Sequence, residues 1–399
     1  MAQVITFAFI PVITRLYTPE EFGFYSLFFS MTMAVGLISS LKYEQAILLP
    51  KSNTDARAIL FLSLIILFVV VCISIITVFI FYDWFLKFFD NHSIYIYLLP
   101  VAIAVFGLGQ IFESYSNRVE VYKQMSISKI ISASGTVSLQ IFSKYILNFN
   151  GLIFSKLFSD FLGILFLIKT HIKKETLTLK HISKRRIKTN LKRHEHFPKF
   201  LTASTLINYL SQNLPIFLFP LLFSSDIVGY YALAFRMLMV PTTLVSGSVR
   251  SVYYQKASKM FAKKEDIRGI YLKTMFGLLK IFIIPFFVVL LFGNEIFAIL
   301  FGQEWQNAGM ISRILVFTAL FAFINPPSTM TFNILQLQKV QLYIQILHFF
   351  FKVLALFIGY YFFHSYLISI GLYVFVAVMF NVYSILFIDK KLKKLSTKK

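Results

Sequence analysis

A single cysteine, Cys72, occurs among the 399 residues of the chain. One thiol cannot form an internal disulfide or a multi-cysteine metal site, so both kinds of cross-link are excluded within the chain. Charged residues are scarce at 14%, and only 17 side chains are acidic. The sequence contains neither an Asp-x-Asp pair nor a Gly-x4-Gly-Lys phosphate loop, which are typical of metal-dependent glycosyltransferases and P-loop ATPases respectively.

Apolar side chains dominate the composition. Hydrophobic residues make up 58% of the chain, phenylalanine accounts for 48 residues, and the mean hydropathy is +0.74. A soluble domain has about 45–50% apolar and about 25% charged residues, so this composition would leave large apolar patches in water. The formal net charge is nevertheless +22, from 39 Lys and Arg residues. These values indicate a polytopic membrane protein, whose positive charge must be interpreted against a membrane.

Apolar runs long enough to cross a bilayer recur along the whole chain. We expect an all-α fold with about 12 transmembrane helices, because each span needs about 20 mostly apolar residues. The first apolar stretch, Ala2–Ile13, is shorter, and we interpret it as the end of a span that begins outside this chain or among the headgroups. The spans predicted after it are Phe22–Leu41, Ile59–Tyr82, Ser93–Glu113, Ile130–Leu147, Gly151–Ile168, Phe200–Phe223, Val228–Ser248, Thr274–Phe292, Met310–Leu335, Gln341–Phe363 and Tyr366–Ile388.

The basic residues lie almost entirely in alternate connections. With the spans numbered from the first, the connections after even-numbered spans and the C-terminal tail hold 31 of the 39 Lys and Arg residues. The connections after odd-numbered spans hold only Arg15 and Lys87. Short loops rich in Lys and Arg stay in the cytoplasm. This asymmetry predicts that both termini are cytoplasmic.

The densest basic segment lies between the sixth and seventh predicted spans. It suggests an N-terminal lobe of six helices at residues 1–168, a basic cytoplasmic loop at 169–199, a C-terminal lobe at 200–388 and a basic tail at 389–399. We interpret the loop as a topological anchor that contacts anionic membrane lipids, and we predict no nucleic-acid partner. Its His194-x-His196 pair has no further ligand at a useful spacing, so we predict neither a metal nor another cofactor.

Two motifs recur in the two halves of the sequence. Leu16-Tyr-Thr-x4-Gly23 aligns with Leu222-Phe-Ser-x4-Gly229 at an offset of 206 residues, and Asn117-x5-Lys123 aligns with Asn333-x5-Lys339 at an offset of 216. Six spans in each half is an even number, so both halves enter the membrane in the same direction. Parallel repeats in transporters are related by a pseudo-two-fold axis along the membrane normal, and the substrate path lies between them.

Three segments carry a more specific pattern. They are Pro11-Val-Ile-Thr-Arg-Leu-Tyr-Thr-Pro-Glu-Glu-Phe-Gly-Phe-Tyr, Lys42-Tyr-Glu-Gln-Ala-Ile-Leu-Leu-Pro and Leu300-Phe-Gly-Gln-Glu-Trp305. Together with the span count and the central loop, they resemble the O-antigen and polysaccharide repeat-unit flippases of bacteria. That family belongs to the superfamily of lipid II flippases and multidrug and toxin exporters. The resemblance covers essentially the whole chain and departs at the start, where family members carry a longer first span.

The resemblance implies a function, a location and partners. It implies translocation of an undecaprenyl-diphosphate-linked oligosaccharide, an O-antigen or capsule repeat unit, across the bacterial inner membrane by alternating access. The protein would then be a transporter and not an enzyme. A coupling ion, a polysaccharide polymerase and a chain-length regulator are partners that this interpretation leaves open.

Two cations inside the predicted spans need a partner or a function. A charge at the bilayer centre costs about 2.5–3.5 kcal/mol on insertion scales. Arg236 and Lys352 lie well inside spans eight and eleven, and neither has an acidic residue at helical spacing. They could pair with Asp160 or with backbone carbonyls, or they could form a cationic wall for an anionic lipid headgroup. Basic residues outnumber acidic ones inside the spans by six to two, which favours the wall. In the flippases that the chain resembles, spans one, two, seven and eight face the cavity, which favours Arg236.

Polar side chains on two other spans are further candidates for substrate binding. Lys156 and Asp160 are four residues apart on span six, so they could neutralise each other or contact substrate. On span seven, Thr205, Asn208 and Gln212 share one helix face. Their side chains could bind sugar hydroxyls or hold neighbouring helices together.

Other polar or irregular positions have simpler interpretations. Lys144 and Arg313 lie near span ends, from which their long side chains can reach the headgroups. Pro215 and Pro220 should interrupt span seven, and the Pro326-Pro327 pair should interrupt span ten, where breaks could provide hinges.

Three rival functions remain. A membrane-embedded polymerase or glycosyltransferase would need a large outer loop, whereas the longest odd connection is Gly293–Gly309. A drug/ion antiporter of the same superfamily would favour an acidic cavity for cationic drugs, and the spans here are basic. A channel is disfavoured by the duplicated halves.

Overall fold

The computed structural model describes residues 2–89, 93–146, 151–174, 177 and 183–396. Within those residues all regular structure is helical and no strand occurs, which confirms the predicted all-α fold. Residues 175–176 and 178–182 of the predicted basic loop, residues 397–399 of the tail, and Leu147 of the fifth span lie outside the described residues. The helices are α1 (Ala2–Ala8), α2 (Ile10–Leu16), α3 (Pro19–Gly36), α4 (Tyr43–Ala46), α5 (Asn53–Ile80), α6 (Tyr82–Phe88), α7 (Ser93–Arg118), α8 (Tyr122–Ile146), α9 (Gly151–Lys173), α10 (Lys184–Arg193), α11 (Ala203–Leu222), α12 (Ser225–Ala262), α13 (Arg268–Phe301), α14 (Gln306–Ile324), α15 (Pro326–Ile334), α16 (Gln338–Phe363) and α17 (Tyr366–Ser396).

Every predicted span coincides with helical structure. Among the described residues, eight helical segments are long and apolar enough to cross a membrane by length and composition, namely those containing α5, α7, α9, α12, α13, α14, α16 and α17. Three further predicted spans correspond to α3, α8 and α11, which carry more polar side chains. The short first span is divided into α1 and α2 at Phe9. The predicted count of about 12 spans is therefore broadly consistent with the helices.

The offset of 206 residues recurs in the helix boundaries. α3 begins directly after Thr18, and α12 begins directly after Ser224, so the two residues that precede these helices are 206 positions apart. Both have an extended backbone conformation. The preceding helices, α2 and α11, end at Leu16 and Leu222, which are separated by the same offset.

The offset of 216 residues recurs in a turn between helices. Glu120 follows α7 with φ of 56°, and Gln336 follows α15 with φ of 55°. A left-handed residue after the end of a helix is a common helix termination. The following residue closes each turn in the same way, because Val121 N donates to Ser116 O (3.1 Å) and Leu337 N donates to Phe332 O (2.8 Å). The internal repeat is thus present in local structure, whereas the rotation that relates the halves stays a prediction.

The two halves differ where α3 ends. α3 ends at Gly36, and Leu41 and Lys42 have positive φ angles of 50° and 62° before α4 begins. Non-glycine residues rarely adopt this conformation, which costs of order 1 kcal/mol or more. At the offset of 206 residues, α12 instead continues as one helix through Gly247 and Ser248 to Ala262. Only the N-terminal half therefore has a strained turn at this position.

The chain divides into two compact units, Met1–Asn213 and Leu214–Lys399. The division falls within α11, whose Tyr209 hydroxyl donates to Ser30 O of α3 at 3.3 Å. In the first unit, one buried apolar cluster joins α3, α5, α6, α7 and α9, and a second joins α4, α5 and α7. Ile187 of α10 packs against the second cluster, so this part of the basic loop packs onto the N-terminal unit.

In the second unit, polar contacts join the helix ends nearest the basic tail. The Arg268 guanidinium of α13 contacts both carboxylate oxygens of Asp389 on α17, at 2.8 and 3.1 Å. The Tyr253 hydroxyl on α12 lies 2.7 Å from that of Thr331 on α15. These helices also share a buried apolar cluster there, which excludes water from the hydroxyl pair.

Prolines were predicted to interrupt spans seven and ten, and the structure shows an interruption only in span ten. Pro215 and Pro220 lie inside α11 without ending it, so the expected interruption of span seven was wrong. The expected interruption of span ten is confirmed, because α14 ends at Ile324 and α15 begins at Pro326. Proline suits the first position of a helix, since its missing N–H would be unpaired there in any case.

Candidate functional site

Arg236 lies on α12, close along the helix to residues that are buried in the protein. Leu233 and Ala234 are fully buried, whereas Arg236 is half-buried. Among the residues that the structure describes, none of the ion pairs and side-chain hydrogen bonds involves Arg236. Its guanidinium therefore keeps five N–H donors in a planar arrangement that matches phosphate oxygens.

Lys352 is held inside the C-terminal unit. Its side chain extends from α16 towards α17, where Nζ donates to the Tyr373 hydroxyl at 3.3 Å and lies 4.6 Å from the centroid of the Tyr373 ring. A cation over an aromatic face is stabilised by the ring quadrupole. Lys352 is only 5% exposed, so a substrate cannot touch its ammonium group in this conformation.

Lys156 and Asp160 form the ion pair that their spacing predicts. Lys156 Nζ lies 2.6 Å from both carboxylate oxygens of Asp160, and the Ser132 hydroxyl of α8 donates to the same carboxylate. The two side chains are 32% and 26% exposed. The carboxylate thus already has a cation and a hydroxyl donor, which leaves Lys156 little uncompensated charge for a substrate.

Asn208 and Gln212 lie together on α11. Gln212 Nε2 donates to Asn208 Oδ1 at 3.1 Å, and both residues are exposed, while Ser211 beside them is buried. Each amide keeps further donor or acceptor positions for another hydroxyl group. The Asn208 and Gln212 side chains are therefore exposed on the surface of α11.

Two cations near span ends have partners within the protein. Lys144 Nζ contacts both carboxylate oxygens of Glu21, at 2.8 and 3.0 Å, and lies 4.8 Å from the Tyr17 ring centroid. Arg313 Nε donates to Leu290 O at 2.8 Å, two residues before Phe292, where the backbone of α13 is not helical. Both side chains therefore have partners in the protein, and their contact with the headgroups stays a prediction.

Sequence reasoning missed a buried charged cluster at the strained turn. Lys42 Nζ lies 3.5 Å from Glu44 Oε1, and these two side chains are 4% and 3% exposed. The Ser40 hydroxyl donates to the other carboxylate oxygen. One signal was available, since two opposite charges stand two residues apart at the end of an apolar run.

The rings of His194 and His196 lie close together after α10, with centroids 6.4 Å apart. Burial of His194 lowers its pKa below the ordinary value of 6.5, and the positive charges of Arg193 and His196 lower the pKa further. His194 is therefore neutral near pH 7. In the part of the chain that the structure describes, no group of three or more His, Cys, Asp or Glu side chains could hold a metal ion.

Known proteins share both sequence and fold with this chain. Residues 12–310 match the family described as polysaccharide biosynthesis protein. The lipopolysaccharide biosynthesis protein WzxC of Escherichia coli (strain K12) is 23% identical over 148 residues, which are 37% of this chain. The matched segment spans only 29% of the length of that relative.

Two solved structures share the fold over nearly the whole chain. An inward-facing multidrug resistance MATE family transporter of the MOP superfamily superposes with a TM-score of 0.79 at 13% identity, covering 100% of this chain and 96% of the other. The lipid II flippase MurJ in an inward closed conformation superposes with a TM-score of 0.72 at 14% identity, covering 97% of this chain and 86% of the other. These likenesses show a shared transporter fold. Because the family match extends over most of its residues, the chain belongs to the polysaccharide biosynthesis protein family.

Proposed function

We propose that this protein is a flippase that moves an undecaprenyl-diphosphate-linked oligosaccharide across the bacterial inner membrane by alternating access. The observation that carries the proposal is the family match over residues 12–310. The flippase fold shared with MurJ and the similarity to WzxC support it. O-antigen or capsule repeat units are the oligosaccharides that polysaccharide biosynthesis would supply.

Within this proposal, Arg236 binds the diphosphate. A lipid diphosphate carries its charge beside the lipid, so it needs a cation that stays solvated inside the membrane. The Arg236 guanidinium can make two parallel hydrogen bonds to phosphate oxygens. It is half-buried and is outside every ion pair among the described residues.

The other candidates take secondary roles in the proposal. The exposed amides of Asn208 and Gln212 are suited to sugar hydroxyls, because each amide both donates and accepts. Lys156 and Asp160 neutralise each other, so they contribute polarity rather than net charge. Lys352 contacts substrate only if another conformation opens its contact with Tyr373.

Transport in a defined membrane tests the proposal. We expect vesicles that contain the full chain to exchange a fluorescent undecaprenyl-diphosphate oligosaccharide between leaflets, measured as the fraction bleached by an impermeant reductant. Protein-free vesicles should bleach about half of the label and then stop. Vesicles with the protein should approach complete bleaching.

A drug/ion antiporter is the alternative, because the MATE transporter shares the fold. The same vesicles, given a proton or sodium gradient, should not accumulate the cationic dye ethidium. Dye accumulation without lipid exchange would contradict the flippase proposal and support the antiporter.

The proposed topology places both termini and the basic loop in the cytoplasm. After Cys72→Ser removes the native thiol, we expect Arg185→Cys in intact cells to resist a maleimide that cannot cross the membrane. Gln303→Cys is the control, because it is exposed in an odd-numbered connection and should label from outside. Strong labelling from outside at position 185 would show that the loop does not face the cytoplasm, and it would contradict the proposed topology.

A further inference from the structure

The helix α10 in the basic loop has an unusual composition. Six of its ten residues are Lys or Arg, none is acidic, and none is aromatic. The Ser183 side chain accepts from Arg186 N at 3.3 Å and so starts the helix. Ten residues with this charge would not stay helical alone, because like charges repel and short helices are marginal in water. Tertiary contacts must therefore hold α10.

One face of α10 supplies those contacts to the N-terminal unit. The Tyr43 hydroxyl on α4 donates to Leu191 O at 2.9 Å. Asp55 of α5 lies 3.7 Å from Arg186 Nη1 and accepts from Asn190 Nδ2 at 3.5 Å. Ile187 packs into the apolar cluster of α4, α5 and α7. The docked face is thus formed by the side chains of Arg186, Ile187 and Asn190 together with the Leu191 carbonyl.

The opposite face of α10 carries uncompensated positive charge. All six of its cations are exposed, and among the described residues five of them take part in no ion pair and no side-chain hydrogen bond. Only Arg186 has an acidic neighbour, Asp55. We call these five residues the outer face. They are Lys184, Arg185, Lys188, Lys192 and Arg193.

The flanking segments place α10 between two predicted membrane spans. α10 lies between the ends of two predicted spans, α9 and α11. Apolar side chains near those ends are exposed on the protein surface, as expected of residues that contact lipid. Ile172 is 63% exposed and Phe200 is 73% exposed. Nine residues separate α10 from α11, and six of them, Phe197–Thr202, form a π-helical turn that shortens the connection.

We propose that the outer face of α10 binds the anionic headgroups of phospholipids in the leaflet beside it. A polybasic segment next to an anionic membrane gains about fivefold in binding for each Lys or Arg near the surface. The absence of aromatic side chains from α10 disfavours single-stranded nucleic acid, which is bound through stacking on aromatic rings. Tyr43 and Asp55 tie α10 to α4 and α5, so the proposed lipid surface is attached to the helix that follows the strained turn at Lys42.

A titration of the purified full chain tests this binding. Cys72→Ser and Thr189→Cys place one environment-sensitive fluorophore on α10, in an uncharged detergent. We expect a saturable change with short-chain phosphatidylglycerol and a response to phosphatidylcholine that is at least tenfold weaker. Raising the salt from about 0.1 M to about 1 M shortens the Debye length from about 10 Å to about 3 Å, so the phosphatidylglycerol affinity should fall steeply.

Matched charge removals identify the face responsible. Lys184→Gln, Arg185→Gln and Lys188→Gln together should weaken phosphatidylglycerol binding about a hundredfold, from about fivefold per residue. Lys256→Gln, Lys259→Gln and Lys263→Gln remove as much charge from exposed positions near the end of α12 and should leave the affinity within about twofold. All six side chains are exposed, so elution volume and melting temperature should match those of the parent.

Four outcomes would overturn the proposal. They are equal responses to the two lipids, equal affinity of the parent and the α10 variant, displacement of the lipid by inorganic pyrophosphate at matched ionic strength, and tighter binding of a short single-stranded RNA than of phosphatidylglycerol. The third would identify a phosphate site, and the fourth a nucleic-acid surface. None of these measurements depends on flippase activity, so the lipid surface and the proposed function can fail separately.

Discussion

Arg236→Ala is expected to abolish surface-polysaccharide output while the amount of protein in the membrane stays normal. The guanidinium has no ion-pair partner among the described residues, so its removal leaves no buried acid uncompensated. Loss of a charge-assisted contact costs about 1.5–3 kcal/mol, or about ten- to a hundredfold in substrate binding. Arg236→Lys should keep part of the output, because lysine retains the charge without the two parallel hydrogen bonds.

Abundance and output must be measured in the same cells to separate binding from folding. Lys280→Ala is the matched control, because it removes an exposed cation of α13 and should leave both quantities unchanged. A fall in Arg236→Ala abundance would indicate that the arginine is structural. Full output from Arg236→Ala at normal abundance would refute the binding role, and Lys352 would become the leading candidate.

Glu44→Ala is expected to lower the thermal stability of the purified protein substantially. The carboxylate is the ion-pair partner of Lys42, and both side chains are almost fully buried. Removing one partner of a buried ion pair costs about 3–5 kcal/mol, because the remaining charge is desolvated and unpaired. For a large domain, this corresponds to a melting temperature lower by roughly 10 °C. Fluorescence-detected unfolding in detergent measures the shift.

A second variant distinguishes the lost pair from a simple cavity. Lys42→Met combined with Glu44→Leu removes both charges and keeps most of the volume, so it should recover much of the stability lost in Glu44→Ala. Lys129→Ala is a control at an ion pair that is about half exposed, with Glu113, and should change stability by less than about 1 kcal/mol. If Glu44→Ala is as stable as the parent, the pair is solvated in the membrane-bound protein and our assignment of buried charge is wrong.

The features that the sequence predicted well depend on residues close together in the chain. Apolar run length set the positions of the helices, because a span must satisfy its backbone within the bilayer. The i,i+4 spacing predicted the pair of Lys156 and Asp160, since the helix itself brings these side chains together. The two motif offsets predicted local structure as well, and the left-handed residues Glu120 and Gln336 are 216 positions apart.

Contacts between helices were decided by tertiary structure alone. Lys144 and Glu21 are 123 residues apart, and no local pattern selects one acid on α3 as the partner of a lysine on α8. The Tyr373 ring beside Lys352 depends in the same way on how α16 packs against α17. Hydropathy and charge along the chain determined which segments enter the membrane and suggested their direction. Which cations inside the spans are neutralised, and which one has no ion pair among the described residues, depended on the packing that places partners from distant helices within hydrogen-bonding distance.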